Sequence, residues 1–207
     1  MSTVTAMRPY DPVFDGQKHY RALLQATARP GTIGQVDDVA MDVPPQLNRA
    51  TVFIVLGLFS ADSTFSFKPG DDQATKFFQY ETAAKPVADE LADFVIVKDA
   101  SVLDGIRHAR LGTLLYPDLG ATVIVQVGAL SPAPIPGGLR LTLTGPGIET
   151  EAVAVVQGAP EALFELLQKQ NAEFPLGIDT FLTCDSLSAG PCVLALPRTT
   201  RVRWERI

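Results

Sequence analysis

The segment Phe94–Val97 is four apolar residues with no polar interruption, and 121–127 repeats the theme with Val123, Ile124 and Val125. A strand that does not alternate apolar with polar residues is buried on both faces, as in a parallel sheet sandwiched between other layers. Such a sheet needs crossover connections, and the intervening sequence supplies helical spacings. A first helix is expected from about Asp15, a possible N-cap, through Tyr20, Leu23, Leu24 and Ala28, ended by Arg29-Pro30-Gly31. A second starts near Asn48 and turns Val52, Val55, Leu56 and Phe59 inward, with a buried strand as competitor because of its β-branched content. Residues 64–67 alternate as a short strand, and Asp71-Asp72 cap a helix that buries Ala74, Phe77 and Phe78 until Pro86 closes it. Ser101 caps a helix with Val102, Leu103 and Ile106 on one face, and Gly112 ends it.

Further along, 139–144 alternates Leu with Arg or Thr as a half-exposed strand, after a Pro-rich loop at 131–138. Pro160 suits the first turn of a helix that buries Leu163, Leu166 and Leu167. Three strand candidates follow at 180–184, 192–196 and 199–204, the first two joined by a turn over 185–191, and they are expected to form an antiparallel edge. Together these elements predict one α/β domain over 1–207, with a mixed, mostly parallel sheet and helices on both faces.

The 207 residues carry a formal net charge of −6, which argues against a protein that coats nucleic acid. The 46% hydrophobic content suits a chain that needs neither disulfides nor a structural metal. Cys184 and Cys192 have no zinc-like spacing and read as buried thiols in a reducing compartment. The segment 1–16 lacks the apolar core of a signal peptide, and the longest apolar run, 52–59, is far short of the ~20 residues a bilayer-spanning helix needs. A cytoplasmic protein without membrane attachment is expected.

Phosphate-loop, nucleophile-elbow, dinucleotide and zinc-helix motifs are absent from the sequence. His19 and His108, the two histidines, lie among polar neighbours in helical stretches and read as surface residues. Of six lysines, Lys98 at a strand end is the candidate anchor for covalent pyridoxal phosphate, but a solvated strand-end lysine is the commoner case, and no cofactor is expected. Gly145-Pro146-Gly147-Ile148 follows a strand and is read as a tight loop in preference to an anion nest. Arg198, Thr199 and Thr200 are the candidate anion-binding residues, since a guanidinium fork and hydroxyls suit phosphate or phosphonate oxygens. Strand alternation puts Thr199, Arg201 and Arg203 on one face and Arg198, Thr200, Val202 and Trp204 on the other. Arg198 can serve a ligand or a carboxylate such as Asp179 on a neighbouring strand, and the ion pair is the favoured of the two.

The blocks Phe174-Pro-Leu-Gly-Ile-Asp179, Leu182-Thr-Cys184 and Leu196-Pro-Arg-Thr-Thr200 resemble the PhnH family, a subunit of the bacterial carbon–phosphorus lyase system. Phe14-Asp15, Gln17, Arg21, Leu23 and Pro30-Gly31 resemble its opening helix, Pro117 with Gly120-Ala121-Thr122 its middle strand entry, and Gly145 to Ile148 its loop. Tyr20 and Thr27 depart from the Phe and Met expected there. The resemblance implies a reduced form of the pyridoxal-phosphate-dependent transferase fold, without the cofactor lysine. It also implies a homodimer that joins other carbon–phosphorus lyase subunits. With those partners the family is required to displace adenine from ATP by an alkylphosphonate, giving ribose 1-phosphonate 5-triphosphate. As one component of such a synthase the subunit is not expected to be catalytic alone, and the resemblance assigns it no catalytic residue. The alternatives are a stand-alone pyridoxal-phosphate enzyme anchored at Lys98 and a phosphonate- or nucleotide-binding module at Arg198, Thr199 and Thr200.

Overall fold

A computed structural model describes residues 10–186 and 189–207; the tip of the turn expected over 185–191 and the first nine residues lie outside this range. In chain order the elements are α1 (Phe14–Ala28), β1 (Ile33–Gln35), α2 (Arg49–Leu58), β2 (Thr64–Lys68), α3 (Asp72–Thr82), β3 (Lys85–Pro86), β4 (Phe94–Val97) and α4 (Asp104–His108). They continue with β5 (Thr122–Gln126), β6 (Ala129–Ser131), β7 (Leu139–Thr144), β8 (Ala152–Gln157), α5 (Glu161–Gln170), β9 (Asp179–Ser186), β10 (Gly190–Leu196) and β11 (Arg201–Arg206).

The unalternating runs do form the middle of a sheet. Seven strands lie in the order β1-β10-β9-β5-β4-β2-β3, parallel from β9 to β3 and antiparallel at β9–β10 and β10–β1. Its two faces bury different sets of residues. Ile96, Ile124, Phe181 and Val193 meet Phe53 and Val55 of α2, Leu23 of α1 and Phe78 of α3. Val95, Val123, Leu182 and Leu194 meet Leu163 and Phe164 of α5, Ile106 of α4, and Leu141, Leu143 and Val156 of a second sheet.

That second sheet corrects the expected single one. Four antiparallel strands, β11-β7-β8-β6, stand apart from the main sheet, and the third C-terminal strand joins them instead of extending the edge. The reason is Pro197: it has no N–H to continue the ladder, and Thr200 N closes a turn onto Pro197 O at 2.8 Å. The chain then crosses to β7, where Arg201 faces Thr144 and Trp204 faces Leu141. Burial along β7 alternates as its sequence predicts.

Local signals settle most boundaries. Asn48 caps α2, its side-chain oxygen accepting from Thr51 N at 2.7 Å, and 50–55 are buried on every side, so the helix prevails over the strand reading. Asp71 caps α3 through Ala74 N at 3.0 Å. The helix expected from Ser101 begins at Asp104, because the Ser101 hydroxyl and N–H both bind Asp99; it ends at His108, before Gly112.

In α1 the buried stripe is Asp15, Gly16, His19, Leu23 and Ala26, while Tyr20 and Leu24 face outward. Small residues decide this: a Cβ on Gly57 of α2 would lie 3.2 Å from His19 Cβ, and a Cβ on Gly34 of β1 would lie 3.7 Å from Ala26 Cβ. Both contacts hold α1 closer than Tyr20 or Leu24 would permit. His19 is therefore a core residue, against the surface reading, stacked at 4.9 Å on Phe53 with Nε2 2.9 Å from the Asp37 carbonyl. His108 is exposed, as expected.

Candidate functional site

Three of the blocks that carry the family resemblance, those with Pro117, with Pro175 to Asp179 and with Arg198 itself, meet around Arg198. Its backbone N–H donates to Asp179 Oδ1 at 2.8 Å, and Nε and Nη2 donate to Asp179 Oδ2 at 3.2 and 2.8 Å. Nη1 donates to the carbonyls of Pro117 at 2.8 Å and Pro175 at 3.4 Å. The arginine side chain is 13% exposed. One guanidinium thus ties the loop before β5, the loop before β9 and the turn after β10 into a single clamp.

Two glycines of these blocks exist to make room for it. A Cβ on Gly120 would stand 2.4 Å from Gly177 O and 2.7 Å from Arg198 Nη1. Gly177 has φ +141°, and a Cβ there would fall 2.4 Å from Asn171 Oδ1, which accepts from Ile178 N. Of the two roles open to Arg198, the structure displays the ion pair with Asp179. Every nitrogen of its fork already has an acceptor.

Beside the clamp runs a groove of about 740 Å³, bounded by the end of β7 at Thr144 and Pro146, by Gln168, Asn171 and Phe174 at and after the end of α5, and by 198–203. Arg198, Thr199 and Thr200, the residues the sequence offered for an anion, are among those that line it. Thr200 Oγ1 is buried and has no hydrogen-bond partner among the described residues. Arg201 and Arg203 also line the groove, on the outward face that alternation assigns them, while Val202 is buried and Trp204 packs on Phe164 at 5.8 Å. Asn171 was not singled out from the sequence; Phe174 entered only as the first residue of a family block, and Arg201 only through the strand alternation. Phe174 is 67% exposed, and the fold alone places it on the groove.

The remaining sequence candidates occupy structural roles. Gly145-Pro146-Gly147-Ile148 is a tight loop: Ile148 N closes onto Gly145 O at 3.2 Å, and a Cβ on Gly147, at φ +82°, would meet Ala28 O at 2.4 Å. Lys98 lies at the carboxyl end of β4, its Nζ 3.0 Å from Asp71 Oδ2 and 5.8 Å from the Phe67 ring centre. The Ala74 N–H and then the Lys98 ammonium hold the Asp71 carboxyl below its ordinary value. With its nitrogen bonded to Asp71, Lys98 sits in a structural ion pair and not in an open site for a cofactor aldehyde. Cys184 and Cys192 are buried and directly opposite each other in the β9–β10 ladder. Burial pushes the Cys184 thiol up to about 12 and also raises that of Cys192, which leaves both as packing groups at neutral pH.

No helix among the described residues is long and apolar enough to cross a membrane. The family model for bacterial phosphonate metabolism protein, PhnH, matches residues 9–203. The chain is 34% identical over 199 residues to a Rhizobium meliloti protein named alpha-D-ribose 1-methylphosphonate 5-triphosphate synthase subunit PhnH, covering 94% of each. It is also 37% identical over 113 residues to HtxG of Stutzerimonas stutzeri, provisionally named a C-P lyase subunit protein, covering 55% of this chain and 52% of that one. With the converging blocks matched across almost its whole length, the chain belongs to the PhnH family of bacterial phosphonate metabolism proteins.

Proposed function

We propose that this chain is a subunit of a carbon–phosphorus lyase assembly and acts with partner subunits in displacing adenine from ATP by an alkylphosphonate. The observation that carries the reading is the 34% identity, over 94% of both chains, to a protein named as a subunit of the methylphosphonate triphosphate synthase. The surface supports it. The loop clamped by Arg198 through the Pro117 carbonyl exposes Leu114 at 78%, Leu115 at 77%, and also Tyr116 and Leu119. So many large apolar side chains on one short loop suit a surface that another protein covers. The environments of two potential catalytic groups suit a subunit that acts with partners: Lys98 is paired with Asp71, and His19 is buried against Tyr10 and Phe53.

The proposal includes a homodimer and a main sheet derived from a reduced pyridoxal-phosphate-dependent transferase fold. A dimer would elute with about twice the 22.2 kDa chain mass. Co-purification tests the assembly. A tagged chain expressed in cells using methylphosphonate as phosphorus source should recover the other carbon–phosphorus lyase subunits, and a doubly substituted Leu114→Asp, Leu115→Asp variant with an unchanged melting curve should recover fewer. Recovery of the chain alone from such cells would remove the reading.

A further inference from the structure

The groove beside Arg198 has a largely apolar lining that carries a few hydrogen-bond donors. Asn171 spends its Oδ1 on Ile178 N, and its Nδ2 has no partner among the described residues. Thr199 has no side-chain partner there either, and Thr200 Oγ1 is buried and unpartnered. Arg201 has no ion-pair partner among the described residues, whereas Arg198 and Arg203 are paired with Asp179 and Glu151. None of the residues lining the groove is an aspartate or glutamate. An amide N–H₂, the Thr199 hydroxyl and a guanidinium without an ion-pair partner among the described residues complement a ligand whose oxygens only accept and carry negative charge.

Size and the remaining wall narrow the class. At about 740 Å³ the groove is far larger than an inorganic anion and falls within the range of small-molecule sites. Phe174 presents an exposed ring on its lining, a stacking surface for a planar group. We infer that this groove binds an organic phosphoryl or phosphonyl compound, its oxyanion held by Arg201, Thr199 and Asn171, and its planar or apolar portion on Phe174. A nucleoside polyphosphate satisfies both halves, and a small alkylphosphonate satisfies the first. The inference stands on the groove alone: failure of the chain to co-purify with partners leaves it intact, and its own failure leaves the assembly reading intact.

Calorimetric titration of the purified full-length chain with ATP, inorganic triphosphate and methylphosphonate, without added metal, tests it. ATP is expected to bind. Arg201→Ala, at an exposed position, and the shape-preserving Thr199→Val should each leave the melting curve nearly unchanged. The arginine variant should weaken ATP binding about tenfold or more, as loss of a charge-assisted contact does. Phe174→Ala should weaken ATP and leave triphosphate unchanged if a nucleotide is the ligand. If methylphosphonate binds, is weakened by Arg201→Ala and is indifferent to Phe174→Ala, the same oxyanion site serves a phosphonate. Absence of binding by all three compounds, or affinities unchanged in both Arg201→Ala and Thr199→Val, would overturn the inference.

Discussion

Arg198→Ala tests the clamp on which the groove and the neighbouring loops depend. The substitution removes four side-chain hydrogen bonds, two to Asp179 Oδ2 and one each to the Pro117 and Pro175 carbonyls. The arginine is 13% exposed and Asp179 37%, so water re-solvates the carboxylate in part but reaches the vacated arginine site poorly. Breaking a fully buried pair from one side costs about 3–5 kcal/mol, and the half-exposed carboxylate places this case near the lower end, at about 3 kcal/mol. For a chain of this length that corresponds to a fall of about 6–12 °C in melting temperature. The assay is urea unfolding followed by circular dichroism, on Arg198→Ala, Asp179→Asn and the double variant. Each single change should be strongly destabilising and the double should cost about 1–3 kcal/mol less than their sum, because both break the same contact. A loss below about 0.5 kcal/mol for Arg198→Ala, or strict additivity, would refute the clamp.

Other expectations follow from single environments. His19 has its pKa lowered, first by burial and against the pull of the Asp37 carbonyl, Asp15 and Asp37, with Lys18 acting in the lowering direction. The unfolded chain therefore takes up this proton first: the contribution of His19 is complete above pH ~6.5 and is lost as pH falls below that value toward the folded one. Urea midpoints between pH 5 and 7.5 should show this slope, and His19→Phe, which keeps the stack on Phe53, should flatten it. Gly147→Ala places a Cβ 2.4 Å from Ala28 O at φ +82° and should destabilise by more than about 1 kcal/mol, while Gly70→Ala, with nothing within 4 Å of its Cβ, should be nearly silent in the same unfolding assay. Cys184 and Cys192 should resist iodoacetamide at pH 8 in the native protein and react fully in urea, read by mass.

The centre of the main sheet was legible because Phe94–Val97 and Val123 to Val125 leave no alternation to interpret, and burial on two faces is the one arrangement that suits them. The second sheet was not. Alternation along β7 and β11 says that each is half exposed but not which partner it faces, and that choice rests on the crossover at Pro197. The phase of α1 was misjudged for a related reason. Tyr20 and Leu24 are as apolar as Leu23, and only the closeness of Gly57 and Gly34 selects the narrower side of the helix. His19 followed from that error, since its burial is a property of the helix face and not of its polar sequence neighbours.

Within the candidate site, the Arg198–Asp179 alternative could be named in advance because a strand-entry arginine and a strand-start aspartate had to lie near one another. The groove could not, because Thr144, Asn171, Phe174 and Arg201 are gathered only when β11 pairs with β7 and α5 closes over them. The grouping of these side chains is a property of the closed arrangement, invisible in any one segment.

The most direct test of the functional reading is adenine release in a reconstituted system. Partner subunits are mixed with ATP and methylphosphonate, with and without this chain, and free adenine is followed by chromatography. The assembly reading predicts release when the chain and its partners are combined, and none from the chain by itself or from the partners without it. Release by the chain alone, or undiminished release when it is omitted, would contradict it.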